Sequence, residues 1–304
     1  MQLPDAEELV VSRPTRLLIL VVVVGLGAAL DIGLHMVTED FLPLPEGFVG
    51  SPLVQRVGFG PVAVVWAVLA FSGLALVFLA VERYLTGSGT SKGLRYGVAV
   101  GLLVQVGMLE GVAMFGSHVV DEFVVGAADA IPIVLTSFLL GRLLASQGPP
   151  PPPRPPVRHL VRCVVVFVVV FTAGRLTAAG TGLIDAGLAT RPLATVTWTI
   201  AMGAAIGCVF LLLRDEPNGS RTPGPAAVAV VGVFAVNWAL FMLFVPLVFP
   251  DALADVAVRV GLDIVLVAVA ATWTGASRRR SGALASTDHA ATHQPTNGTR
   301  TELP

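Results

Sequence analysis

Residues 17–37 read LLILVVVVGLGAALDIGLHMV, an apolar run that contains one acidic side chain, Asp31. A helix of about 20 apolar residues is long enough to span the hydrocarbon core of a bilayer. The run therefore predicts a transmembrane helix. Gly27, Ala28 and Ala29 form a poor cleavage site and are followed by more apolar sequence, so we expect this helix to be retained rather than removed as a signal peptide.

Seven further runs of the same kind follow along the chain. They cover residues 61–82, 96–115, 123–145, 159–179, 193–213, 226–249 and 254–274. The composition agrees, because 55% of the residues are hydrophobic and only 13% are charged, whereas soluble domains carry about 25% charged residues. The sequence predicts an all-α, polytopic membrane helix bundle with eight transmembrane helices in contact with the lipid bilayer.

Lysine and arginine are distributed unevenly between the two sides of this helix map. Fourteen of those that precede the distal tail fall on the side of the N-terminus, and three fall on the opposite side: Arg56, Arg191 and Arg259. Positively charged loops stay in the cytoplasm, so both termini are expected to be cytoplasmic and the protein to be a multi-pass protein of the cell membrane. The formal net charge of −1 gives no field that would attract nucleic acid.

A proline-rich segment, residues 146–158, divides the apolar runs into two groups of four. Its five consecutive prolines begin at Pro149, and such a segment forms a stiff spacer rather than a helix. Similar short patterns occur on both sides of it, with VGAAD at residues 125–129 and VGLD at residues 260–263. We interpret the chain as an internal duplication whose halves are parallel, because an even number of spans returns the chain to the same side.

The duplication fixes the predicted domain organisation. The segments are a cytoplasmic N-terminal segment (1–16), a first four-helix repeat (17–145), the proline-rich cytoplasmic linker (146–158), a second four-helix repeat (159–274) and a disordered cytoplasmic tail (275–304). A pseudo-two-fold axis along the membrane normal would superpose Asp31 on Arg175. The sequence therefore predicts an ion pair between these two side chains across the repeat interface.

Among the ionisable side chains of the apolar runs, five stand out as candidates: Asp31, Glu110, Asp129, Arg175 and Asp263. A charge at the bilayer centre costs at least roughly 2.5–3.5 kcal/mol, so such residues are candidates for a functional site. With a rise of about 1.5 Å per residue and the orientation above, all five fall in the outer half of the membrane. Their common depth predicts one polar chamber that opens to the extracytoplasmic side.

Other polar residues are expected to line or border the same chamber. Gln105 and Asn237 lie nearer the midplane, on the third and seventh runs. The predicted mouth residues are His35, His118, Asp121 and Glu122. The broken, proline-containing connection at residues 39–60 is expected to form no helix and to lie in the membrane interface or over the chamber.

Buried acids of this kind are typical of proton relays and cation pathways, so the sequence favours a proton-coupled transporter, or a transporter of a cation or a small basic solute. Against this interpretation, only Pro132 and Pro246 interrupt the apolar runs, and neither predicts an unwound binding site. One alternative is a non-catalytic scaffold or subunit that associates with a membrane partner or with further copies of itself.

A further alternative is an intramembrane acid–base enzyme that acts on a lipid-soluble substrate. It is less favoured because no nucleophile motif, metal-ligand spacing or DDxxD-type diphosphate motif occurs in the sequence. No cofactor is predicted.

Overall fold

The computed structural model describes residues 12–41, 48–151, 156–214 and 225–292, with side chains for all of these except 225–227 and 275–292. Within these ranges the chain is all-helical, with 83% helix and no strand. Parts of the predicted N-terminal segment, the loop at 39–60, the proline-rich linker and the tail lie outside the described residues.

The described residues form eleven α-helices. They are α1 (Arg13–Val37), α2 (Pro52–Val57), α3 (Phe59–Val81), α4 (Gly89–Met108), α5 (Glu110–Met114), α6 (Val119–Leu144), α7 (Val157–Gly180), α8 (Pro192–Leu213), α9 (Pro225–Met242), α10 (Phe244–Val248) and α11 (Leu253–Thr292). Two short 3-10 helices, Glu39–Phe41 and Glu82–Tyr84, follow α1 and α3.

Seven helical segments among the described residues are long and apolar enough to cross a membrane. They are α1, α3 with its 3-10 extension, α4 with α5, α6, α7, α8 and α9 with α10. The all-helical bundle is thus confirmed, with seven helical segments that could cross a membrane. The eighth predicted span, 254–274, lies in α11 and is not among the seven, so eight spans stay a prediction. α11 continues to Thr292 and covers part of the predicted disordered tail.

Two of the spans are interrupted, although neither Pro132 nor Pro246 predicted an unwound site. α4 ends at Met108 and α5 begins at Glu110, while α9 ends at Met242 and α10 begins at Phe244. Proline has no N–H with which to bond the carbonyl four residues earlier, so Pro246 accounts for the end of α9 at Met242. No proline marks the other break, and Pro132 lies inside the uninterrupted α6.

Glycines bring pairs of helices into backbone contact. A Cβ on Gly97 of α4 would lie 2.8 Å from the Ser137 Cβ of α6 and 2.9 Å from the Val134 Cα. In the second half, a Cβ on Gly203 of α8 would lie 2.8 Å from the Val168 Cα of α7. Small residues permit this approach where apolar side chains gain nothing by leaving lipid.

Gly97→Leu is expected to destabilise the bundle by about 1–3 kcal/mol, because the added side chain has no room between α4 and α6. The melting temperature of the purified protein in one detergent measures the effect. Gly25→Leu is the matched control, since no atom lies within 4 Å of a Cβ placed on this glycine. Equal melting temperatures of the two variants would contradict the close packing.

The ends of the bundle differ in charge. At one end Arg16 donates a hydrogen bond to the Leu144 carbonyl (2.9 Å), and Arg95 donates to the Leu212 carbonyl (3.0 Å from Nε). We call this the arginine-rich end. At the opposite, acidic end, where the loops carry Asp185 and Asp251, Arg191 donates to the Met114 carbonyl (2.9 Å). Each of these bonds joins the start of one helix to the end of another, so the two helices of each pair run in opposite directions.

Two tryptophans make reciprocal hydrogen bonds between the first and second halves of the chain. Trp66 of α3 donates its indole N–H to the Leu240 carbonyl of α9 (2.9 Å), and Trp198 of α8 donates to the Val106 carbonyl of α4 (2.8 Å). Each acceptor lies two residues before the end of its helix. The matching places are those that a duplication predicts, although the duplication itself stays a prediction.

The connection between α1 and α3 packs against the second half. The expectation that it forms no helix is wrong, because α2 occupies Pro52–Val57 and Ser51 caps it by accepting from the Val54 N–H (3.2 Å). The Ser51 hydroxyl also donates to the Leu247 carbonyl of α10 (2.6 Å). Residues 42–47 of this connection lie outside the described residues.

Candidate functional site

The structure divides the five predicted charges between two clusters. The first, which we call the arginine cluster, is centred on Arg175 of α7. Its guanidinium binds the Asp263 carboxylate of α11 through two bonds of 2.7 Å and donates a third bond to Glu110 Oε1 (2.8 Å). Arg175 and Asp263 are both fully buried. A planar guanidinium suits this two-point contact with a carboxylate.

Further side chains complete the arginine cluster. Arg259, which is 4% exposed, donates to Glu110 Oε1 (3.3 Å) and to Asp255 Oδ2 (2.6 Å). Trp238 donates its indole N–H to Asp263 Oδ2 (3.0 Å), and the Arg175 guanidinium carbon lies 4.9 Å from the centre of the Trp198 ring. Two arginines therefore face three carboxylates, and each carboxylate has a cationic partner.

The predicted ion pair between Asp31 and Arg175 is wrong, since Arg175 binds Asp263 and Glu110 instead. The physical reason is that residues at equivalent places in two repeats contact each other only if they lie on the axis that relates them. Here each of the two residues meets an acid on the last long helix of its own half: Asp31 lies beside Asp129 of α6, and Arg175 binds Asp263 of α11.

The second cluster consists of Asp31, His35 and Asp129, and we call it the acid-pair cluster. His35 follows Asp31 by one helical turn of α1, so both side chains lie on the face that packs against α6. His35 Nε2 lies 3.0 Å from Asp129 Oδ1. One ligand atom from each of the three residues lies within 4.8 Å of the other two.

The acid-pair cluster differs from the arginine cluster in how the negative charge of its carboxylates is compensated. Asp31 is 2% exposed and Asp129 is 4% exposed, yet in the described chain neither carboxylate has an arginine or lysine within ion-pair distance. The only basic neighbour among the described residues is the imidazole of His35, whose side chain is 34% exposed. Two buried carboxylates so placed are expensive in an apolar environment and favour a cationic ligand or a bound proton.

A small cavity adjoins these two carboxylates. Its volume is about 30 Å³, enough for a water molecule or a small ion. Asp31 and Asp129 provide two of its polar groups, Asn237 of α9 provides a third, and Trp66 and Phe241 are among its apolar walls. The cavity therefore lies between the first half of the chain and α9 of the second half.

Of the remaining predicted residues, only Asn237 lines this cavity in the part of the chain that the structure describes. Asn237 lines it and donates to the Tyr96 hydroxyl (3.1 Å), whereas Gln105 donates to the Phe123 carbonyl (3.1 Å) and links α4 to α6. His118 is exposed at the N-cap of α6. Asp121 is half-buried in its first turn, and Glu122 is buried against Gly111. Of the four predicted mouth residues, His35 alone belongs to either cluster.

Sequence reasoning missed the role of Arg259 and the tryptophans. Arg259 falls within the eighth predicted run, 254–274, but was counted with the positive charges of the side opposite the termini; the structure shows it buried in α11. A signal was present, because Asp255, Arg259 and Asp263 follow one another at intervals of four residues and so share one helix face. No sequence pattern distinguished Trp66, Trp198 and Trp238 from apolar wall residues.

The two clusters occupy matching places in the two halves of the chain. Asp129 and Asp263 each lie ten residues after the first residue of their helix, Val119 and Leu253. Their partners, Asp31 and Arg175, lie near the ends of α1 and α7. Where the second half holds a guanidinium, the first half holds a second carboxylate beside a cavity.

Comparison of the chain with protein-family models, with curated proteins and with solved structures gave no match.

Proposed function

We propose that this protein is a multi-pass membrane transporter for a small cation, a class that includes the proton and small basic solutes, and that the acid-pair cluster is its binding site. The observation that carries the proposal is the meeting of two buried carboxylates, Asp31 and Asp129, beside a cavity without an arginine or lysine among their described neighbours. A cation from solution would supply the missing compensation.

The arginine cluster supports this proposal by contrast. In the proposed duplication, Arg175 stands at the place of Asp31, and its guanidinium is a permanent cation for Asp263. Trp198, beside Arg175, stands at the place of Trp66, which lines the cavity. We infer that one half keeps its cation as part of the protein and the other half takes it from solution.

The position of the cavity also fits transport. Sites of secondary transporters lie between repeats, near helices that are interrupted. Here the cavity is lined by residues from α1, α3, α4 and α6 of the first half and from α9 of the second. Both α4 and α9 end close to it. Movement of one half against the other would change access to Asp31 and Asp129.

We further propose the orientation that the arginine distribution favours, with both termini in the cytoplasm and α11 as the eighth span. The acid-pair cluster would then lie in the outer half of the membrane. His35, which is partly exposed beside Asp129, would be the first cluster residue that a cation meets from outside.

Transport by proteoliposomes that contain the full chain tests the proposal. A pH-sensitive dye, labelled methylammonium and a dye for divalent cations report the three kinds of cargo. We expect flux of at least one of them, reduced by at least tenfold in Asp31→Asn and in Asp129→Asn, because each change removes one of the two carboxylates that hold the cation.

Asp251→Asn is the matched control. Asp251 is exposed and has a φ of 57°, a conformation that asparagine also adopts readily, so this variant is expected to transport as the unaltered protein does. Absence of flux for all three probes, or equal flux in all variants, would overturn the proposed function.

A further inference from the structure

The acid-pair cluster has the donor set of a transition-metal site. We infer that Asp31, His35 and Asp129 together bind a divalent cation of the zinc class. This inference rests on the proposed function for its biological role, because it names the cargo of that same site. The binding itself is a separate property that can be measured without transport.

The geometry brings three ligand atoms from two helices together. The imidazole and both carboxylates place one donor atom each within 4.8 Å of the others, and His35 Nε2 is already 3.0 Å from Asp129 Oδ1. Donor atoms bound to one tetrahedral zinc ion are about 3.3 Å apart, given metal–ligand bonds of about 2.0–2.2 Å. Small rotations of the side chains are enough to reach that separation.

The chemistry of the donors selects the class of ion. Calcium and magnesium prefer an all-oxygen set, whereas an imidazole nitrogen with two carboxylate oxygens suits Zn²⁺, Mn²⁺, Fe²⁺ or Co²⁺. Cu⁺ prefers sulfur ligands, and no cysteine belongs to the described cluster. Two carboxylates also match the double charge of these ions.

Burial and the cavity give independent support. Asp31 is 98% buried, has no described arginine or lysine partner, and lines the cavity that Asp129 also lines. Three protein ligands leave one position of a tetrahedral ion open, as in sites where a bound group exchanges, while structural zinc sites are closed by four ligands. A cavity of about 30 Å³ has room for a water molecule at that position. The arrangement suits an ion that enters and leaves.

The inference is tested with the full chain purified in detergent or nanodiscs and freed of metal by a chelator. Calorimetric titration with Zn²⁺ is expected to show one site, and Asp31→Asn, Asp129→Asn and His35→Gln are each expected to weaken binding at least tenfold. His159→Gln and Asp251→Asn are the matched controls, because both residues lie outside the cluster, and they are expected to bind as the unaltered protein does. Millimolar Mg²⁺ is expected not to compete.

Co²⁺ provides a readout that a structural role of His35 would not produce. In the His35→Cys variant, bound Co²⁺ is expected to show a sulfur-to-cobalt charge-transfer band in the near ultraviolet, and the unaltered protein is expected to lack it. This band reports ligation by residue 35 itself, and it remains informative where a carboxylate variant fails to fold.

The outcomes separate this inference from the proposed function. Failure of the unaltered protein to bind Zn²⁺ and Co²⁺, or binding that all three cluster variants retain, would overturn the metal site. If protons or methylammonium are then still transported in a manner that requires Asp31, the transport proposal survives. Metal binding that requires the cluster, without flux of any probe in proteoliposomes, would support the site and overturn transport.

Discussion

Arg175→Met is expected to destabilise the folded protein by about 3–5 kcal/mol, the usual cost of removing one partner from a buried ion pair. The change would leave the fully buried Asp263 carboxylate with the Trp238 indole as its one remaining described hydrogen-bond donor. It would also leave Glu110 with Arg259 alone, at 3.3 Å. The effect is large because Arg175 and Asp263 are fully buried, so solvent is not available to Asp263 to replace the lost guanidinium.

The free energy of unfolding in mixed detergent micelles measures this effect. Arg162→Met is the matched control, since Arg162 lies on the same helix but is exposed, and it is expected to change stability by less than about 0.5 kcal/mol. The double variant Arg175→Met with Asp263→Leu is expected to recover part of the loss, because it removes the unpaired acid as well. An Arg175→Met protein as stable as Arg162→Met would show that the pair has no structural role.

Asp31→Arg is expected to abolish cation flux and Zn²⁺ binding, by on the order of 100-fold or more, while the protein remains folded. The new guanidinium would bind Asp129 as Arg175 binds Asp263, with Trp66 in the position of Trp198. The substitution thus replaces the exchangeable cation with a permanent one. Its melting temperature is expected to equal or exceed that of Asp31→Asn, which removes the carboxylate without supplying a cation.

Flux, Zn²⁺ affinity and melting temperature are measured together on Asp31→Arg and Asp31→Asn in the same detergent and liposomes. Flux through Asp31→Arg at the level of the unaltered protein would contradict a cation site at Asp129. A melting temperature far below that of Asp31→Asn would contradict the correspondence between Asp31 and Arg175, since the guanidinium would then have found no partner.

Hydropathy was sufficient to locate the long helices, although not the short α2, because about 20 apolar residues in sequence leave a membrane chain few other structures. The first run, predicted at 17–37, forms the C-terminal part of α1 (Arg13–Val37). The break after Met108 could not be predicted in the same way. It lies in apolar sequence without proline, and its stabilising contact, from Trp198, comes from a distant part of the chain.

The candidate site, too, could be predicted only in part from the sequence. Burial of Asp31, Glu110, Asp129, Arg175 and Asp263 was evident from their apolar surroundings, and the structure confirms that all five are buried. Their partners depend on which helices pack together, and a linear pattern does not contain that information. The common depth predicted for the five side chains indicated one chamber. In the structure, α1 packs on α6 and α7 packs on α11, and the five side chains form two clusters.

The reciprocal tryptophan bonds have a consequence for biosynthesis. The carbonyls of Val106 and Leu240 lie four residues before Glu110 and Phe244, at the places where an unbroken helix would direct them to its own backbone. An indole from the opposite half binds each of them instead. The break between α4 and α5 therefore acquires its Trp198 donor only after α8 has emerged from the ribosome and entered the membrane. Until then the first four spans form an unfinished assembly, and maturation of each half is completed by the other.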